Sequence, residues 1–198
     1  HSLEDRIVKT EIGEEQKAFI AARDMFWLAS IDHQGRPTVS YKGGDPGFVR
    51  VIDAKTLAFP SYDGNGMYFS MGNIAGNENV GLLFVDFERP YRLRVQGVAS
   101  VDIDDPLLGS FHEAQLVVRV AVSEVFRNCP RYVHRFEKVE GSKFVPREGV
   151  ETPLAGWKRL EDVQADLPAR DRERAEREGG LRTSEEHEAM VARGDPDA

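Results

Sequence analysis

The sequence predicts a mainly β protein: a closed or half-closed antiparallel barrel with a few helices. Three observations point there. Short apolar or alternating runs recur from Met25 to Phe126, each bounded by turn residues. The connections between those runs are short. Long amphipathic helices, which a doubly wound α/β fold needs between its strands, are missing from the same region.

Taken in order, "EEQKAFIAARD" (Glu14–Asp24) reads as a short helix. Acidic residues lie at its start, and Ala18, Phe19, Ile20, Ala21 and Ala22 supply an apolar side. "MFWLASID" (Met25–Asp32) is a bulky apolar strand that stops at the turn signature "HQGRP". "PTVSYKGG" alternates and breaks at two glycines. "GFVRVID" and "TLAFPS" are two short strands joined by a tight turn, and "DPG" at Asp45–Gly47 is a turn signal. "IAGNEN" is a short helix or turn. "VGLLFVDF" is a nearly continuous apolar strand, and "YRLRVQGVASVDI" and "LVVRVAVSEVF" alternate over longer spans. These runs amount to six or seven strands.

The chain has 198 residues, 40% hydrophobic and 30% charged, which suits one ordinary soluble domain with appendages. Its net charge of -8 leaves no basic excess for phosphate neutralisation, which argues against a nucleic-acid binder. The acidity is uneven. From Glu161 onward there are twelve Asp or Glu against six Lys or Arg, so the remainder is nearly neutral. Composition therefore divides the chain into a barrel domain over residues 1–168 and an acidic tail over 169–198. That tail is a solvated helix interrupted at Gly179-Gly180, or disordered. A single cysteine, Cys129, excludes an intramolecular disulfide and points to a reducing, cytoplasmic setting. No apolar run approaches the roughly 20 residues of a membrane span, and "HSLEDRIVKT" holds no apolar signal region.

Four stretches are candidates for chemistry. "YDGNGMYFSMGN" (Tyr62–Asn73) crowds glycines and small polar residues between apolar runs, as phosphate loops do. It matches neither familiar phosphate motif: Met67 and Tyr68 follow Gly66 where a Lys and Ser/Thr are required, and Phe69 stands where the dinucleotide fingerprint has its third glycine. It reads as a glycine-supported turn, or as an anion nest with Ser61, Asn65, Ser70 and Asn73 as side-chain donors. Lys42, at the end of an alternating strand, is an exposed lysine or a phosphate ligand. Arg92, Arg94 and Gln96 share one strand face, which suits solvent or a planar anionic ligand, because guanidinium both bonds and stacks. In "NCPRYVHRFE", Cys129 and His134 are too few for a zinc ligand set and read as structural or substrate-shaping.

In this order, "FWLASIDHQGRPTVSYKGG", "LAFPSYDGNGMYFSMGNI", "VGLLFVDF" and "RLRVQGVASV" resemble the pyridoxamine 5'-phosphate oxidase-like family, the FMN-binding split barrels. "NCPRYVH" and "GWKRLEDVQADLP" are similar to a bacterial branch described as flavin-nucleotide-binding proteins. The resemblance covers about Phe19 to Pro168. It implies a six-stranded Greek-key split barrel and a homodimer with FMN at the subunit interface. It also implies a redox reaction on a small-molecule substrate, in which no side chain of this chain has an assigned catalytic role. For the cofactor it implies Lys42, Ser61, Asn65, Ser70 and Asn73 at the phosphate and ribityl chain, with Tyr68 and Arg92 near the ring or phosphate. The family's oxidases carry an Arg-Lys pair where this chain has Phe69-Ser70, so neutral donors stand in for charges. They also hold the pyridoxal phosphate group with basic C-terminal residues, where this chain is acidic. Two other classes remain open: a non-catalytic flavin- or haem-binding module with His112 or His134 as haem ligand, and a deazaflavin F420 user, which the near-neutral body does not favour.

Overall fold

Seven strands build one antiparallel sheet in a computed structural model that describes residues 7–64, 66–195 and 197–198. They are β1 (Met25–Ile31), β2 (Pro37–Gly43), β3 (Arg50–Asp53), β4 (Thr56–Ser61), β5 (Asn79–Asp86), β6 (Tyr91–Asp102) and β7 (Leu116–Asn128). The order across the sheet is β2-β1-β5-β6-β7-β4-β3. Strands β5, β6 and β7 form a meander, and β4 returns to lie beside β7, a Greek-key arrangement. The outermost strands, β2 and β3, do not pair with each other, and this is the split of the barrel. The count is seven rather than six because Arg50–Asp53, only four residues long, pairs with β4 across a tight turn.

Alternation along the strands explains which face is inside. In β1, Phe26, Leu28 and Ser30 are buried while Met25, Trp27, Ala29 and Ile31 are not. In β6, Leu93, Val95, Gly97 and Ala99 face inward, and Arg94, Gln96 and Val98 face out. Within a largely aliphatic core, Phe26 packs among other rings: its centroid lies 5.0 Å from that of Phe59, 5.1 Å from Phe84 and 5.8 Å from Phe48. Pro60 sits within β4 without cost, since β3 pairs only with Thr56–Ala58 and leaves that edge open.

Helix α1 (Glu14–Ala21) buries Ile20 completely and sets Phe19 against Tyr91 at 4.5 Å. The Gln16 side chain accepts the Gly13 N–H at its start. Helix α2 (Phe69–Gly76) begins inside the glycine-rich stretch that composition describes as a turn, so the short helix starts five residues before "IAGNEN". Met71 and Ile74 anchor it in the core.

The chain separates into two compact units, residues 1–141 and 142–198. The second contains a 3-10 turn at Gly156–Arg159, helix α3 (Ala169–Arg177) and helix α4 (Ser184–Ala192). Lys158 and Asp171, both buried, pair at 2.9 Å, and Leu160 bridges to Arg182. Because Lys158 is tied to a residue of α3, the compositional change near residue 168 falls within this unit. Gly179 and Gly180 both have positive φ and separate α3 from α4. Thr183 and Glu186 cap α4 reciprocally. No helix among the described residues is long and apolar enough to cross a membrane.

Candidate functional site

The period of two along β2 puts Ser40 and Lys42 on the inward face, since Lys42 pairs with buried Phe26 and Ser40 with buried Leu28. At the split edge that face is not covered by another strand. Helix α2 lies there instead. Its attachment is polar: Ser40 and Ser70 share a hydroxyl–hydroxyl bond of 2.9 Å, and the Asn73 amide donates to Ser30 and Thr38 at 3.1 and 3.0 Å.

Between β2, the end of β4 and the start of α2 lies a cavity of about 220 Å³. It is lined by Lys42, Ser61, Tyr62, Gly64, Gly66, Tyr68, Phe69, Ser70 and Met71. Four of the residues expected at a phosphate, Lys42, Ser61, Tyr68 and Ser70, thus meet in one place. Asn73 does not line the cavity but fastens α2 to the β1–β2 hairpin. Asn65 lies outside the described residues. Lys42 is partly buried, and burial holds its ammonium below the ordinary lysine pKa of 10.5. Burial likewise pushes the Tyr62 hydroxyl up, reinforced by nearby Asp45.

The wall opposite Lys42 depends on Tyr68. It precedes α2 with φ 49° and ψ 30°, a left-handed conformation that costs a non-glycine residue about 1–2 kcal/mol. Tyr68, the N-cap of α2, makes no side-chain cap bond, and Ser70 and Met71 of the first turn line the cavity. A partly dehydrated cation and hydroxyls lining one small space have the chemistry that an anion requires.

Arg92 is elsewhere. It lines a second cavity of about 740 Å³ on the outward face of the sheet, with Trp27, Val39, Arg94, Gln96 and His134 among its other walls. The segment after β7 closes over this space. The Phe136 N–H bonds to the Phe87 carbonyl at 3.2 Å, and the Phe87 ring packs edge-on against Phe136 and Trp27. The Arg92 guanidinium donates to the Cys129 carbonyl, while its Nε is buried without a partner among the described residues. His112 is exposed and lies 3.6 Å from Glu113. Among the described residues no cluster of three or more His, Cys, Asp or Glu could hold a metal.

Residues that sequence reasoning missed have different degrees of visibility. Ser40 was findable, since it shares a strand face with Lys42. Tyr62 adjoins Ser61. Gln115, whose side chain reaches Tyr68 and Asp63, has no signal at all in its own neighbourhood of sequence.

A family model for pyridoxamine 5'-phosphate oxidase matches residues 12–140, more than half of the chain. No curated protein matches. Among solved structures, HupZ from Group A Streptococcus is 22% identical, with a TM-score of 0.49 over 64% of this chain and 99% of that one. A Lactobacillus delbrueckii protein provisionally named a pyridoxamine 5'-phosphate oxidase is 26% identical, with a TM-score of 0.49 over 60% of this chain and 95% of that one. HutZ, the heme storage protein from Vibrio cholerae, is 21% identical, with a TM-score of 0.42 over 57% of this chain and 91% of that one.

Proposed function

The chain belongs to the pyridoxamine 5'-phosphate oxidase family, and on that premise we propose that it is an FMN-dependent oxidoreductase acting on a small organic substrate. The observation that carries the reading is the partly buried Lys42 ammonium, facing hydroxyls and the uncapped start of α2 in a cavity of about 220 Å³. That volume is below the roughly 300–1,000 Å³ of sites that enclose a whole drug-sized ligand, and it suits the phosphoryl end of one. In this reading Lys42 supplies the charge, Ser61 and Ser70 supply neutral donors, and Tyr68 shapes the wall. FMN, when bound, supplies the electron chemistry. The homodimer and the cytoplasmic setting belong to the same proposal. Val39 and Tyr41, exposed on the outward face of edge strand β2, give a second copy an apolar surface to cover.

The test is a titration of the purified protein with FMN, followed by reduction with nicotinamide cofactors and reoxidation by a panel of substrates. Saturable quenching of flavin fluorescence and substrate-dependent turnover are expected. A protein that ignores added FMN sinks the proposal.

Lys42 also predicts a pH dependence. Its proton is bound less tightly in the folded chain than in the unfolded one, so stability without ligand rises with pH across the window just below 10.5. An added anion favours the charged lysine, so the affinity for FMN or inorganic phosphate falls with rising pH over the same window. Titrations from pH 7 to 10 check this. A flat profile removes Lys42 from the site.

One observation favours a second reading, the non-catalytic haem-binding module. His134 lines the 740 Å³ cavity with Arg92 and Arg94, an imidazole beside two cations suited to propionate groups. A Soret band on haem addition that His134→Ala abolishes supports the module. Haem that leaves the spectrum unshifted excludes it.

A further inference from the structure

One residue outside the Lys42 cavity bonds to two of its walls. Gln115 lies immediately before β7 and does not line the space. Its backbone N–H donates to the Ser61 carbonyl at 2.9 Å, securing the end of β4, where Ser61 faces the cavity. Its side-chain oxygen accepts the Tyr68 hydroxyl at 2.5 Å, and its side-chain N–H donates to the Asp63 carboxylate at 3.1 Å. One amide therefore ties both ends of the Tyr62–Tyr68 loop to the barrel. The tie falls on the described non-glycine residue of that loop that has a left-handed backbone. Such a conformation persists when surrounding contacts over-determine it, and it accompanies sites that must be preorganised.

We propose that Gln115 is a positioning residue for phosphate recognition. Through Tyr68 and Asp63 it holds the loop and the first turn of α2 at the distance from Lys42 that a phosphoryl group requires. This rests on the FMN reading above and adds a residue to it. The physical reason is preorganisation. With only one cation among its named donors, the site relies on neutral groups, and a neutral donor contributes only when its direction is already set. An untied loop would have to be ordered by the ligand, and affinity would fall by that ordering cost.

The discriminating pair of ligands is FMN and riboflavin, which share the ring and ribityl chain and differ in the phosphate. In the full-length protein, Gln115→Leu is expected to weaken FMN five- to tenfold and to leave riboflavin affinity and the melting temperature unchanged. Tyr68→Phe breaks one of the two side-chain ties, so Gln115→Leu added to it should cost less FMN affinity than Gln115→Leu does alone. Equal loss of both ligands, or FMN loss that follows a fall in melting temperature, overturns the positioning role, as does unchanged FMN affinity. A wild-type protein that binds FMN no more tightly than riboflavin overturns the phosphate reading itself, so the two failures are distinguishable.

Discussion

Lys42→Met is expected to lower FMN affinity ten- to a hundredfold while leaving the ligand-free protein as stable as the wild type or more so. The two effects have opposite signs for one reason. In the ligand-free chain the ammonium is partly buried with no carboxylate paired to it among the described residues, and desolvation depresses its pKa. Removing it relieves that desolvation. In the complex the same ammonium makes a charge-assisted bond worth about 1.5–3 kcal/mol, which is one to two decades of affinity. Flavin titration and thermal unfolding of the same two samples read both quantities. A variant that loses binding and stability together would make Lys42 an ordinary structural residue.

The second large effect is on the barrel. A Cβ at Gly97 would lie 2.3 Å from the Ala121 carbonyl oxygen and 2.9 Å from a Val120 methyl. The register of β6 against β7 shifts at this point, where Gln96 faces Glu124 and Gly97 faces Val122. The clash is with backbone, so no side-chain rotation relieves it, and the ladder must open locally. Gly97→Ala is expected to destabilise the protein by roughly 2–4 kcal/mol, with melting lowered by about 5–15 °C. Gly81→Ala is the control. Its added methyl would meet only the Ala29 methyl at 3.8 Å, and its melting temperature should stay close to that of the wild type. If the two variants behave alike, the close approach at Gly97 is not what determines the effect.

Much of the barrel was legible because its signals are local. The β1–β2 hairpin follows from an apolar strand, Gly35 and an alternating strand, and the structure pairs Met25–Ile31 with Gly43–Pro37 in continuous register. The short strand β3 was the marginal element, having four residues and an irregular pairing with β4. The start of α2 was not legible. Glycines and small polar residues do not favour a helix on propensity, and Phe69–Gly76 is helical because Met71 and Ile74 are buried and Asn73 is bonded to the hairpin.

The candidate site divides the same way. Lys42, Ser61, Tyr68 and Ser70 were visible from the order of motifs, and they meet in one cavity. Arg92 carries the same kind of motif signal, yet it opens onto the outward face, because β6 alternates and its neighbour Leu93 is in the core.

What the sequence alone determined is the strand alternation, the family and the chemical character of the site: one lysine with neutral donors in place of a charged pair. The tertiary structure decided which donors share a cavity, which instead fasten a helix, and that Gln115 reaches across from β7. The reason is that periodicity acts over a few residues and fixes the face a side chain occupies. Gln115 and Asp63 are 52 positions apart, and only the pairing of β4 with β7 brings them together.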